Sequence, residues 1–292
     1  MRERIGILGG GQLGRMLYSA GNQLNMNLSF MDNMAEGPVA NLSKAYTQGD
    51  IRGTEDVLAF GQDKDIITIE IERVDTEALA ALQAQGKKIY PQPDVISIIQ
   101  DKGLQKDFYT QKGLPTAPYK IYDHLSSLVH DLDEKKWTYP FVQKMRKDGY
   151  DGRGVQIIKS NDALESAFPY NFLVEEGVSI AKELAVVTCR DIKGNIVCYD
   201  PVEMVFHPEA NILLYQLAPA NVDPGIAEKA IEIAKEVTAA YGIVGLLAIE
   251  LFLDTNGNIL INEVAPRPHN SGHHTIEAAK KVRLIIKEST KY

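Results

Sequence analysis

Asn256-Gly257 stands between two apolar, β-rich runs in residues 246–264, which read LLAIELFLDTNGNILINEV. An Asn-Gly pair flanked in this way is the strongest short-range signal for a β-hairpin. With Asn256-Gly257 as a two-residue turn, Thr255 pairs with Asn258, and counting back sets Glu250 directly opposite Glu263. Side chains alternate across a strand, so both carboxylates point to one face. Like charges directly opposed destabilise a sheet, and neither strand carries a cation beside them. A divalent metal resolves the conflict, and Mg2+ held together with nucleotide phosphates is the common hard-oxygen case. Two solvated surface glutamates in another register are the alternative.

Ahead of this hairpin the chain changes character once. In the first hundred residues strands and helices alternate: a short buried strand at 5–8, a helix at 12–24, a strand at 27–32, a helix at 54–60, a strand at 65–70 and a helix at 76–85. Such alternation predicts a parallel sheet with helices on its faces. Pro91 and Pro93 then punctuate the chain, a helix spans 102–112, and the domain boundary falls between Pro91 and Pro115. Beyond it hairpins dominate, with strands at 140–145 and 155–158 and a pair at 184–190 and 195–203. One helix is fully marked, by Asp223 as N-cap, Pro224 at its first position and Gly242 at its end.

A length of 292 residues suits two domains. The net charge of −8 offers no general attraction for nucleic acid or an anionic membrane, so an anionic substrate needs a local basic pocket. Cys189 and Cys198 match no metal or redox spacing and read as reduced thiols. No apolar run reaches membrane-spanning length and the first strand begins at once, so a cytoplasmic protein without a signal peptide is expected.

Residues 9–14, GGGQLG, satisfy G-x-G-x-x-G between a strand and a helix, and Asp32 ends the next strand. Alone, this favours a dinucleotide-dependent oxidoreductase, although backbone amides at a helix N-terminus suit any phosphate. The second half points instead to a nucleotide triphosphate. Lys144 precedes a loop containing Gly149, Gly152 and Gly154, whose backbone can approach phosphates closely, with Arg146, Lys147 and Arg153 supplying positive charge. Residues 267–274, RPHNSGHH, follow Glu263. Asn-Ser-Gly between the histidines and the neighbouring arginine favour a loop that binds an anion or orients substrate over a zinc site.

A strand lysine, a glycine-rich loop and two carboxylates on adjacent antiparallel strands resemble the ATP-grasp superfamily. The strings GGGQLGRM at 9–16, EIE at 70–72, GYDGRG at 149–154, NEVAPR at 262–267 and HNSGH at 269–273 are similar to the N5-carboxyaminoimidazole ribonucleotide synthases over residues 1–277. The resemblance implies an α/β chain with a Rossmann-like parallel-sheet domain at 1–100, an ATP-grasp α+β domain at 101–277, and a shortened remnant of a further lobe at 278–292. It implies a ligase of purine biosynthesis that uses ATP, Mg2+ and bicarbonate to carboxylate 5-aminoimidazole ribonucleotide (AIR) through carboxyphosphate, and a homodimer.

By position, Glu250 and Glu263 would hold Mg2+ beside Asn262. Lys102, Lys144, Gly149, Gly152 and Gly154 would contact phosphates, and Glu175, Glu176, Val178, Glu183 and His207 would complete the nucleotide site. Gln12, Leu13, Glu72, Tyr150, Asn270, Ser271 and His273 would bind substrate, with the AIR phosphate near the glycine turn. Asp151 would accept the amine proton, positioned by Tyr150 and Arg153, while Arg267 and His269 would orient bicarbonate. Competing readings are a nucleotide-binding protein without turnover, a sibling ATP-grasp ligase with another acceptor, and the oxidoreductase built on the glycine turn.

Overall fold

The protein is described by a computed structural model covering residues 2–147, 149, 154–207 and 213–276. The first hundred residues form a parallel sheet. Strand β1 (Arg4–Leu8) leads through the glycine turn into α1 (Gln12–Gln23), followed by β2 (Asn27–Asp32), β3 (Tyr46–Gln48), α2 (Thr54–Gly61), β4 (Ile66–Ile69), α3 (Thr76–Ala84) and β5 (Lys88–Ile89). Strand order is β3-β2-β1-β4-β5 and every pairing is parallel. The order reverses between β1 and β4, so a crevice opens beyond their carboxyl ends, where open α/β sheets take their ligands.

Pro93 does not merely interrupt the chain. It begins α4 (Pro93–Ile99), where its missing N–H costs nothing. Next comes α5 (Lys102–Gln111), capped by Asp101, whose carboxylate accepts from Gly103 N and Leu104 N at 2.9 and 3.3 Å. The same carboxylate holds Arg146 in a two-pronged ion pair, at 3.0 and 2.8 Å.

Two antiparallel sheets follow. The smaller comprises β6 (Tyr119–His124), β7 (Phe141–Met145), β8 (Val155–Ile158) and β9 (Tyr170–Glu176), in the order β6-β9-β7-β8, with α6 (Leu125–Asp133) after β6. The larger contains β10 (Ile180–Arg190), β11 (Ile196–Cys198), β12 (Val202–Phe206), β13 (Leu213–Leu217), β14 (Gly245–Asp254) and β15 (Ile259–Ala265), with α7 (Pro224–Tyr241) before β14. The expected single strand at 195–203 is two: β11 pairs with one end of β10 and β12 with the other. Pro201, which has no N–H for a ladder, lies in the gap.

Leu184, Val186, Leu247, Ile249 and Leu251 turn one face of the larger sheet onto Ala230, Ile233, Ala234 and Val237 of α7 and onto Tyr109 of α5. The opposite face carries the carboxylates of β10, β14 and β15. The segment before β6 is tied to β15 of the larger sheet, since Thr116 Oγ1 donates to Ile261 O at 3.0 Å and Ile261 N donates to Pro115 O at 2.8 Å. This architecture, a Rossmann-like parallel sheet followed by an α+β arrangement of antiparallel sheets, is the α/β order the residue strings imply.

Candidate active site

Glu250 does stand opposite Glu263, but by another route than the simple turn. Asp254 N donates to Asn258 O, so the loop is Thr255-Asn256-Gly257 and Gly257 takes φ +82°, a three-residue hairpin with its glycine in the left-handed position. The ladder then runs Leu253↔Ile259, Phe252↔Leu260, Leu251↔Ile261 before it slips by one residue to Glu250↔Glu263. Asn262 is the extra residue of a β-bulge. Its physical cause is apolar parity: Ile259, Ile261 and Val264 all enter the core, and no regular strand buries positions 259, 261 and 264 on one face. The bulge reconciles them and leaves Asn262 and Glu263, adjacent in sequence, both serving the polar face.

The carboxylates there are not without cations, as the strands alone suggest. Lys102, from the first turn of α5, donates to Glu263, and His269 Nε2 lies 3.4 Å from Glu250 Oε1. Ser271 N donates to His269 Nδ1 at 3.3 Å, which leaves Nε2 to carry the ring proton toward Glu250. Asn262 Nδ2 donates to Glu250 at 3.3 Å while its Oδ1 accepts from Lys144 Nζ at 2.9 Å. Burial, with repulsion from Glu263 and from Glu183 on the neighbouring strand, pushes the Glu250 carboxyl well up. Burial also opposes ionisation of Glu263, but Lys102 outweighs it and holds that carboxyl down. Glu263 keeps 39% of its side chain open to the cleft.

Lys144 also reaches Glu175 Oε2 at 3.0 Å, and Lys106 takes Glu175 Oε1 at 3.2 Å. The three side chains are 9%, 4% and 3% exposed for Lys144, Glu175 and Lys106. Burial pushes Lys106 down to about 8. Burial works against Glu175 as well, yet the two ammonium groups hold its carboxyl below the ordinary range. Sequence reasoning missed Lys106; it lies one helical turn after Lys102, so the two share a face of α5, and that spacing was the available signal.

At the switch point, Glu72 receives Arg267 Nε at 2.7 Å, joining the parallel sheet to the end of β15. Arg267 contacts Glu72, and His269, two residues on, begins a run of contacts through Glu250, Asn262 and Lys144 to Glu175. Gln12 and Leu13 open α1 on the same crevice. Two amides of the glycine turn are already engaged: Gly10 N donates to Asp32 Oδ2 at 2.7 Å and Gly14 N to Glu70 Oε1 at 2.9 Å. The expectation of a phosphate at this turn is corrected for those two amides, and Asp32 faces the turn rather than a ribose.

Burial, with Asp32 and Glu72 nearby, pushes the Glu70 carboxyl above its ordinary 4.5, against Gly14 N–H and Arg267. The folded chain thus retains a proton that the unfolded chain gives up, so this part of stability is full below about pH 4.5 and is lost as pH rises through the raised value. Glu70→Gln, which cannot ionise, is expected to melt with the wild type near about pH 4 and a few degrees above it near about pH 8. A melting difference that does not grow with pH would assign the cost to another group.

Of the remaining expected residues, Glu183 lies on the carboxylate face of β10, opposite Phe252 and next to the Ala185↔Glu250 pair, and burial raises its carboxyl. Glu176 ends β9 exposed, Val178 is half-buried beyond it, and His207 is exposed after β12. Asn270, Ser271 and His273 form a short 3-10 helix rather than an open loop, and Asn270 O accepts from Gln216 of β13 at 2.7 Å. Gly149 and Gly154 approach to 3.1 Å, measured from a Cβ built on Gly154 to Gly149 Cα, with Gly154 at φ +83°. Tyr150, Asp151, Gly152 and Arg153 lie outside the described residues.

Among the described residues no group of three or more His, Cys, Asp or Glu is arranged to hold a metal unaided. Two carboxylates and an amide oxygen are a hard, incomplete set that substrate phosphates would complete, which is how Mg2+ is commonly bound. The residues present fit that ion.

The sequence model of the ATP-grasp domain matches residues 107–282, and that of the ribonucleotide synthetase preATP-grasp domain matches residues 1–100. The N5-carboxyaminoimidazole ribonucleotide synthase of Bacillus subtilis is 33% identical over 94% of this chain and 72% of its own length. The phosphoribosylaminoimidazole carboxylase of Ogataea methanolica is 35% identical over 94% of this chain, which spans 52% of that protein; the chain thus covers about half the length of such carboxylases. The crystal structure of N5-carboxyaminoimidazole synthase from Aspergillus clavatus in complex with ADP and 5-aminoimidazole ribonucleotide is 31% identical, with a TM-score of 0.88 over 97% of this chain and 74% of that one.

Proposed function

The chain belongs to the ATP-grasp family, among the N5-carboxyaminoimidazole ribonucleotide synthases, and from that premise we propose that it carboxylates AIR at the expense of ATP and bicarbonate. Bicarbonate oxygen attacks the γ-phosphorus, ADP leaves, and carboxyphosphate forms. The AIR amine then takes the carboxyl group, losing a proton and releasing phosphate. The observation that carries the reading is the segment 267–269, which places Arg267 on Glu72, at the crevice of the parallel sheet, and His269 on Glu250 of the hairpin, whose contacts continue through Asn262 to Lys144. It supports an acceptor site and a nucleotide site sharing one wall.

In this reading Glu250, Glu263 and Asn262 would hold Mg2+, which supplies charge neutralisation across the ATP phosphates. Lys102 exchanges Glu263 for a phosphate when nucleotide binds, and Lys144 turns from Glu175 in the same way. Gly149, Gly152 and Gly154 bring backbone amides to the phosphates, while Glu175, Glu176, Val178, Glu183 and His207 bind adenine and ribose. Arg267 and His269 orient bicarbonate and offset its charge. Gln12, Leu13, Glu72, Tyr150, Asn270, Ser271 and His273 bind AIR, and Asp151, aided by Arg153, accepts the amine proton. A division into domains at 1–100 and 101–277, a homodimer and a cytoplasmic location belong to the same proposal and rest on the resemblance. Among the described residues no helix is long and apolar enough to cross a membrane.

The test is ADP release from Mg·ATP and bicarbonate with and without AIR. Release that depends on AIR and matches loss of the amine is expected. ATP binding without any AIR response would reduce the protein to a nucleotide binder and withdraw the substrate residues.

A further inference from the structure

Helix α1 begins without a side-chain cap of its own, because Gly11 occupies the N-cap position and has none to offer. Glu70, the first residue after β4, supplies the missing acceptor from 56 positions away, taking Gly14 N–H at 2.9 Å. The fit around Glu70 is tight at Gly9 and Gly11 and ordinary contact at Gly14. A Cβ added at Gly9 would lie 2.6 Å from Glu70 Oε2, one at Gly11 2.9 Å from Oε1, and one at Gly14 3.7 Å from Cγ. Gly9 in addition has φ +106°, where other residues are strained. The glycine pattern that signals a bound pyrophosphate is therefore accounted for by an internal carboxylate, 7% exposed, at the positive end of the helix.

We infer that Glu70 is the positioning residue of the acceptor site: its carboxylate takes the place of a ligand phosphate and fixes the turn that presents Gln12 and Leu13 to the crevice. The inference rests on the proposed function for what occupies that crevice, but the internal anion stands on the contacts alone. It also gives the two glutamates of the EIE string separate tasks. Glu70 faces inward to the turn, and Glu72 faces the cleft against Arg267. With Asp32 engaging Gly10 N–H from the other side, the turn is held by two carboxylates and repels a dinucleotide phosphate.

The experiment compares wild type, Glu70→Ala and Glu70→Gln in the full chain, measuring KM for AIR and for ATP separately. Losing a charged hydrogen bond that orders the turn is expected to raise KM for AIR about tenfold in Glu70→Ala, with KM for ATP unchanged. Glu70→Gln keeps an oxygen for Gly14 N–H and is expected to restore KM for AIR to within about threefold of wild type. Both constants rising together, or neither, would overturn the inference, as would failure of Glu70→Gln to rescue. If the wild type does not respond to AIR, the proposed function falls and hydrogen exchange decides the positioning role. Protection of the Gly14 amide should then match wild type in Glu70→Gln; if Glu70→Ala folds and protects that amide equally well, Glu70 does not hold the turn. Should Glu70→Ala fail to fold, Glu70→Asp, too short to reach Gly14, takes its place in both measurements.

Discussion

Glu263→Gln is expected to lower ATP turnover at saturating Mg2+ by about a thousandfold while leaving the fold intact. The substitution keeps the side chain's shape and removes the charge that makes it a cation ligand. Because 39% of that side chain is open to the cleft, little buried packing depends on it. Lys102 loses its carboxylate partner but has the cleft and, in the working enzyme, phosphate to turn to. Circular dichroism and melting temperature should stay close to wild type while ADP release collapses. Undiminished turnover would remove Glu263 from the metal site, and a collapsed fold would show that the Lys102 contact is structural.

Glu175→Gln is expected to show the opposite profile, a loss of stability of about 3–5 kcal/mol, or on the order of 10 °C in melting temperature. Glu175 is the shared counter-charge of Lys106 and Lys144, and all three side chains are buried. Without it two ammonium groups face each other in a poor solvent, and Lys106, already pushed down to about 8, must shed its proton. The double variant Glu175→Gln/Lys106→Met removes the charge with the least access to water and should recover part of the loss. If the double variant is no more stable than the single one, repulsion between the lysines is not the source.

Much of this was legible in the residues because the signals were local. The helix of residues 224–241 announces both its ends, with Pro224 first and Gly242 in the left-handed region after the last turn. Alternating strands and helices fixed the parallel sheet, and the residue strings led to the family. The remainder depended on contacts between distant segments. No pattern around Lys106 says that it will be buried against Glu175, 69 positions away (175 − 106). Pattern alone reads GGGQLG as an invitation to a phosphate, since the carboxylates that occupy it arrive from β2 and β4. At the hairpin the pairing of the glutamates was right although its turn was not, because a missed bulge compensated for a misplaced loop.

That compensation has a consequence for how this hairpin can vary over descent. The third turn residue and the bulge residue Asn262 each lack a cross-strand partner, and the pairs on either side of them match without them. Removing Asn262 alone, with the turn kept, would leave Glu263 opposite Glu250 and Val264 opposite Ile249, with Glu263 still on the polar face between Ile261 and Val264. Removing one turn residue alone would leave a two-residue turn between Asp254 and Asn258 and the same ladder behind it. A lineage can thus shorten the turn or lose the bulge separately and keep the glutamate pair, and sequence alignments through this hairpin can be gapped at either place alone.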